Sequence, residues 1–283
     1  MLPNWRSLPL LLAGLVGTQL GAKVETLAGL DFGSLQAREV KVYVPGQMAE
    51  TTPVLVALDG QNMEAWRLEA ALAGLAAKGG TVPLVVAIPS GKDRIDEYGM
   101  AGTPDYAGRG KLAAEFQRFV LAGVLPAVRA RHGIKADPAR TGIMGSSLGG
   151  LAAFDLAWRH PEVFGFAGIF SGSFWWRGED GPPAVRQSSR LAHQLVRMTA
   201  PRSRAPRLWF SVGTKEETDD RDGNGVIDAV QDTTELIDEL GGKGPRRIDI
   251  AFTLVEGGEH NEAAWAKQLP AFLEWAVAEK PRR

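Results

Sequence analysis

Among its 283 residues the chain has no cysteine. That excludes a disulfide framework, a thiol nucleophile, a thiolate zinc site and an iron–sulfur centre. Histidine is scarce, with four residues, which limits any imidazole metal cluster. An excess of charge of one sign is also missing: 32 Lys and Arg stand against 33 Asp and Glu, a net charge of −1. A nucleic-acid binder needs a basic face to neutralise phosphates, so the balance argues against that class of partner. No apolar run reaches the roughly 18 residues of a membrane span. What is present is ordinary globular composition, 45% apolar and 23% charged. A chain of this length buries one sizeable core without staples.

Residues 1–22 (MLPNWRSLPLLLAGLVGTQLGA) place one cation, Arg6, ahead of an apolar run over 8–16 and finish in Gly21 and Ala22. They read as an export signal, which predicts a periplasmic or secreted protein; the alternative is an N-terminal helix packed on the domain. Residues 23–283 then read as one domain. Segment 40–44 alternates as an edge strand does. PVLVAL (53–58) and LVVAI (84–88) are continuous apolar runs of the buried parallel kind, and 141–144, 164–170, 208–212 and 248–255 repeat the theme. Helical spacing covers 111–131, 148–158, 229–240 and 262–278. Strands alternating with helices predict an α/β fold with a mostly parallel central sheet and helices on both faces. Long connections at 90–110, 177–207 and 215–226 are expected to carry function.

The chemistry centres on GIMGSSLGG (142–150), which contains G-x-S-x-G as Gly145-Ser146-Ser147-Leu148-Gly149. A short apolar strand enters it and a long apolar helix leaves it, the setting of a nucleophile elbow. The two glycines let the helix double back against the strand. Ser147 is then raised above the carboxyl end of the sheet, and the N–H of Leu148 points into the same space as half of an oxyanion hole. A serine needs a base, itself oriented by an acid, and after such an elbow the chain order is Ser, then Asp or Glu, then His. His132 ends a helix, His160 comes too early and His193 lies mid-helix. His260, in VEGGEHNEAAW after the last strand, is the expected base. The acid should follow the strand 208–212: Glu216 is the first choice, with Glu217 and then Asp219 as alternatives.

With these residues placed, the chain resembles the esterase family of α/β-hydrolases that includes enterochelin-esterase-like proteins, feruloyl and acetylxylan esterases, esterase D and the mycolyltransferases. The carriers are VYVP (42–45), LDGQN (58–62), EYG (97–99), GSSLGG (145–150), SGSFWW (171–176), VGTKE (212–216) and GGEHNEAAW (257–265). The resemblance implies the α/β-hydrolase fold, Ser147 as nucleophile, His260 as base, the carboxylate after VGT as acid and the N–H of Gln61 as second oxyanion donor. It implies a small-molecule or carbohydrate-linked ester of siderophore, feruloyl or acetyl type, cleaved through an acyl-enzyme without a cofactor for catalysis. An acyltransferase, or a non-catalytic ligand-binding protein on the same fold, are the alternative readings.

Two further features stand out. Arg94, Glu97 and Tyr98 fall in the long 90–110 connection, and Trp175 and Trp176 follow the strand beside the nucleophile strand. Aromatics with an arginine suit an aromatic or anionic acyl group; the other reading of both tryptophans is packing under a lid. Residues 220–231 (DRDGNGVIDAVQ) put Asp220, Asp222, Asn224 and Asp228 at positions one, three, five and nine of a calcium loop, with Gln231 where the bidentate glutamate belongs. The spacing fits a weak structural calcium site bracing the Glu216 loop, or a solvated acidic turn.

Overall fold

Strands β3 (Val54–Leu58), β4 (Leu84–Ile88), β5 (Thr141–Ser146) and β6 (Phe166–Phe170) are buried at every position. Continuous burial is what a parallel sheet covered on both faces requires, and it explains why these segments show no apolar–polar alternation. The structure, a computed structural model, describes residues 22–200, 203–241 and 248–278. The export reading of residues 1–22 thus lies almost wholly outside the described residues. Among those described, no helix is long and apolar enough to cross a membrane.

With β1 (Lys23–Phe32), β2 (Leu35–Val44), β7 (Arg207–Gly213) and β8 (Ile250–Val255), the sheet has eight strands in the order β1-β2-β4-β3-β5-β6-β7-β8. β1 pairs antiparallel with β2, and β2 antiparallel with β4; every later pairing is parallel. The expected edge strand at 40–44 is the second half of β2 and is internal, because β1 pairs along its outer side. The charged residues of β1 gave no strand signal, so the true edge was missed.

Strand residues divide between the two faces with period two. Val54, Val56 and Leu58 meet a core built with α3 (Ala113–Arg118), α4 (Leu125–His132), α5 (Leu148–Arg159), α7 (Leu191–Met198) and α8 (Asp228–Leu240). Leu55 and Ala57 meet a second core built with α1 (Leu68–Ala77) and α9 (Glu262–Val277). The helix expected over 111–131 is interrupted by a π-helical stretch, Phe119–Val124, between α3 and α4. The connection at 177–207 contains α7 and the short α6 (Pro183–Ser188), so it is not an open loop. The 90–110 connection contains a single turn, α2 (Arg94–Glu97), which carries Arg94 and Glu97 and is followed directly by Tyr98.

Candidate active site

The candidate residues follow the carboxyl ends of six strands, β3 to β8. β5 ends in Ser146, and Ser147 follows with φ 55° and ψ −126°, a conformation strained for any residue with a Cβ. The N–H of Ser147 donates to the Phe170 carbonyl at 3.0 Å, and α5 starts at once with Leu148. A Cβ on Gly145 would lie 2.3 Å from the Gly149 carbonyl oxygen, so glycine there is a steric necessity of the turn. Leu148 N–H opens α5 and is among the first-turn donors that lack an intrahelical acceptor.

The candidate base and acid follow β8 and β7, respectively. Lys215 N–H donates to the Gly258 carbonyl at 2.9 Å and Thr214 N–H to the Val255 carbonyl at 3.1 Å, which binds the two loops together. A Cβ on Gly213 would sit 2.2 Å from the Gly258 oxygen, so this close passage also demands glycine. Across it, His260 Nδ1 lies 2.9 Å from Glu216 Oε2, with the carboxylate side chain 2% exposed and the imidazole 38% exposed. Glu216 Oε1 accepts from the N–H of Gly213 at 2.5 Å and from Ser171 Oγ at 2.5 Å. His260 sits directly before Asn261, whose side chain caps α9 by accepting the Ala264 N–H at 2.9 Å.

Glu217 faces the other way. Its Oε1 accepts the N–H of Ala229 in the first turn of α8 at 2.6 Å. Burial raises its pKa, opposed by that bond and reinforced by the charges of Asp219, Asp228 and Asp232. Of the remaining histidines in the described residues, His160 pairs with Glu162 at 3.1 Å. His193 is wholly buried with Nε2 3.0 Å from the Asp232 carbonyl; burial, then the charges of neighbouring arginines led by Arg190, hold its pKa well below the usual value.

Gln61, the candidate second oxyanion donor, lies in the turn Asp59 to Asn62. Asp59 has φ 53° and is buried, and Gln61 follows in a 3₁₀ turn. Every polar side chain of this turn is engaged. Asp59 takes a two-point contact from Arg94, Nε to Oδ1 and Nη2 to Oδ2, both 2.7 Å. Gln61 exchanges bonds with Ser90, both at 3.1 Å, and Asn62 donates to Glu262 Oε1 at 3.1 Å. The residues expected to line a pocket are held as follows. Arg94 is paired with Asp59 and one-third exposed. Burial works against its charge, but the hydrogen bonds and charge of Asp59 outweigh that and raise its pKa. Tyr98 is fully buried and its hydroxyl accepts the Asp59 N–H at 3.0 Å; burial, then the Asp59 carboxylate, raises its pKa well above 10. Trp176 is likewise core. Trp175 is partly buried, with Arg109 5.6 Å from its ring centroid.

The calcium-like loop closes on itself. Asp220 accepts the N–H groups of Asn224 and Gly225 at 3.1 and 2.9 Å, Gln231 donates to Asp222 at 2.8 Å, and Asp228 pairs with Arg221 at 3.1 Å. Among the described residues, no three His, Asp or Glu side chains cluster as they would around a metal ion.

Ser173 was not singled out by sequence, although it falls in the quoted SGSFWW. Its N–H donates to the Ser147 carbonyl at 3.0 Å and its Oγ lies 3.4 Å from Ser147 Oγ. Asp59 was likewise missed as the partner of Arg94; the only signal was a carboxylate at the end of an otherwise apolar strand.

Comparison with known proteins places the chain among esterases. The family model described as "Putative esterase" matches residues 35–276. The chain is 30% identical over 148 residues to the iron(III) salmochelin esterase of Escherichia coli O6:H1, covering 51% of this chain and 34% of that protein. The enterobactin esterase of Shigella flexneri superposes with a TM-score of 0.68 at 20% identity, over 91% of this chain and 59% of that one. A siderophore hydrolase of Aspergillus nidulans gives a TM-score of 0.68 at 18% identity, over 94% and 97%. The chain thus spans about a third of the salmochelin esterase and 59% of the enterobactin esterase.

Proposed function

We propose that this chain, which belongs to the Esterase family of α/β-hydrolases, hydrolyses carboxylic esters through Ser147, His260 and Glu216. The carrying observation is the buried Glu216 carboxylate on His260 Nδ1, at the sheet end where Ser147 occupies its strained turn. With Nδ1–H on Glu216, the other ring nitrogen, Nε2, is the basic one. It removes the Ser147 proton as Oγ attacks the ester carbonyl carbon. The carbonyl oxygen becomes an oxyanion, met by the N–H groups of Leu148 and Gln61. Collapse expels the alcohol, which takes the proton from Nε2, and leaves an acyl-Ser147 ester. Water, deprotonated by Nε2, attacks that ester; the C–Oγ bond breaks to release the acid, and Ser147 Oγ takes back the proton from Nε2. No step calls for a metal. Siderophore-type esters are the favoured substrate class, because salmochelin and enterobactin esterases stand among the similar proteins.

Labelling with a fluorophosphonate probe, followed by peptide mass mapping, tests the reading. The expected adduct falls on Ser147 and is absent in Ser147→Ala. A folded wild type with no adduct would overturn it. A panel of acetyl, feruloyl and catecholate-lactone esters then ranks the substrates.

The two adjacent glutamates separate in one experiment. Glu216→Ala is expected to lower kcat by about 10²–10⁴-fold, as loss of a triad acid does. Glu217→Ala should leave kcat near the wild-type value and remove a helix N-terminal bond of about 1 kcal/mol, lowering Tm by about 2–4 °C. The reverse pattern of activities would reassign the acid.

A further inference from the structure

Four side chains, the His260 imidazole among them, close a ring of contacts, and two of them, Ser171 and Trp265, have no part in the chemistry above. Trp265 Nε1–H donates to Ser171 Oγ at 2.8 Å, and Ser171 Oγ donates to Glu216 Oε1 at 2.5 Å. Glu216 Oε2 meets His260 Nδ1 at 2.9 Å. The Trp265 ring in turn stands edge-on to the His260 ring, with centroids 5.2 Å apart and planes at 83°. We propose that Ser171 is a positioning residue for ester hydrolysis. Its hydroxyl, oriented by the Trp265 N–H, locks Glu216, the group that orients His260, into a single arrangement. The inference rests on the Ser147–His260–Glu216 reading.

The direction of each bond follows from what the groups can do. An indole N–H donates and cannot accept, so the Ser171 oxygen must accept from it. The single hydroxyl proton then points at Glu216, which as a carboxylate only accepts. Trp265 therefore dictates the polarity of the Ser171–Glu216 bond. The Gly213 N–H, at 2.5 Å, is the second donor on the same oxygen. Two donors on Oε1 stop the carboxylate from turning, which leaves Oε2 for the imidazole. Both partners are buried, so bulk water does not compete for these groups.

The backbone at Ser171 supports the same conclusion. Its φ is 49°, in the left-handed region, and its N–H is tied to the Ser211 carbonyl at 2.7 Å. Glycine adopts this conformation without strain and serine does not. Backbone geometry alone favours glycine here. The hydroxyl is what a glycine lacks, and it is the atom at the centre of the ring.

The test measures kcat and KM on p-nitrophenyl acetate for Ser171→Gly and Ser171→Ala, in wild-type and Glu216→Ala backgrounds. Glycine relieves the backbone and folds. Alanine keeps Cβ and hinders a water from taking the hydroxyl's place. Both are expected to lower kcat by about 10–100-fold, the scale of a small misplacement of a catalytic group, with KM little changed. Neither should cause further loss when Glu216 is already alanine, because the effect runs through that carboxylate. The Trp265 indole N–H resonance, identified by its loss in Trp265→Phe, should shift in both serine variants. Wild-type kcat in Ser171→Gly, or the same fold-loss in both backgrounds, would overturn the inference. If Glu216→Ala itself keeps wild-type kcat, the triad reading falls and takes this inference with it. If Glu216→Ala is crippled while Ser171→Gly is not, the inference alone falls.

Discussion

Ser147→Ala is expected to lower kcat for ester hydrolysis by at least about 10⁴-fold, and His260→Ala by a similar factor. The double variant should be no worse than either single one. In the proposed mechanism nucleophile and base act as a unit: without the serine oxygen there is no acyl-enzyme, and without the imidazole the hydroxyl keeps its proton. The residual rate should come from the two oxyanion donors, Leu148 and Gln61, whose backbone N–H groups neither substitution removes. Tm should move little. Ser147 Oγ is 3.4 Å from its Ser173 neighbour, too long for a strong bond, so alanine gives up little packing or hydrogen bonding. Steady-state kinetics on an activated acetyl ester checks this. Activity within tenfold of wild type in Ser147→Ala would place the chemistry elsewhere.

The second large effect is on stability and lies outside the site. Arg38 on β2 and Glu97 at the end of α2 form a two-point ion pair, Nη1 to Oε2 at 2.8 Å and Nη2 to Oε1 at 2.7 Å. The side chains are 5% and 2% exposed. Glu97 also accepts the Gly91 N–H at 2.9 Å, and Arg38 reaches the Pro89 carbonyl at 3.1 Å and lies 5.3 Å from the Phe119 ring centroid. Glu97→Ala leaves a guanidinium buried without its counter-ion, a penalty of about 3–5 kcal/mol. For a domain of this size that lowers Tm on the order of 10 °C. Arg38→Met with Glu97→Leu should recover most of the loss, because no charge is then stranded. Activity of the single variant should fall as well, since α2 carries Arg94 and Arg94 holds Asp59 in the turn of the proposed oxyanion donor Gln61. Urea and thermal unfolding with the two-residue cycle measure the pair. A loss below about 1 kcal/mol in Glu97→Ala, the scale of an exposed pair, would show that it is not the brace described.

Glu97 also shows how far local reading reaches. In sequence it sits beside Arg94 and Tyr98 in a loop that looks like a pocket wall. Its partner is 59 residues away on another strand, and nothing in the spacing of the loop points to it. The same holds for Tyr98, whose hydroxyl is claimed by a backbone N–H 39 residues earlier. The edge strand was misassigned for a related reason. Alternation in 40–44 marks a half-exposed strand, but whether another strand lies outside it depends on pairing with β1.

What the sequence determined by itself was everything written in sterics and periodicity over short range. The continuous apolar strands, the apolar helix after the elbow, Gly145 opposite Gly149 and the histidine after the last strand all follow from which residues can occupy adjacent positions. What only the tertiary structure decided was which side chains meet. Glu216 faces His260 and Glu217 faces α8 because Gly213 N–H and Ser171 Oγ wait on one side of the loop and Ala229 N–H on the other. Neighbouring carboxylates have the same chemistry. Their difference is set by donors brought from β6, β7 and α8, and strand order, not local pattern, brings those donors there.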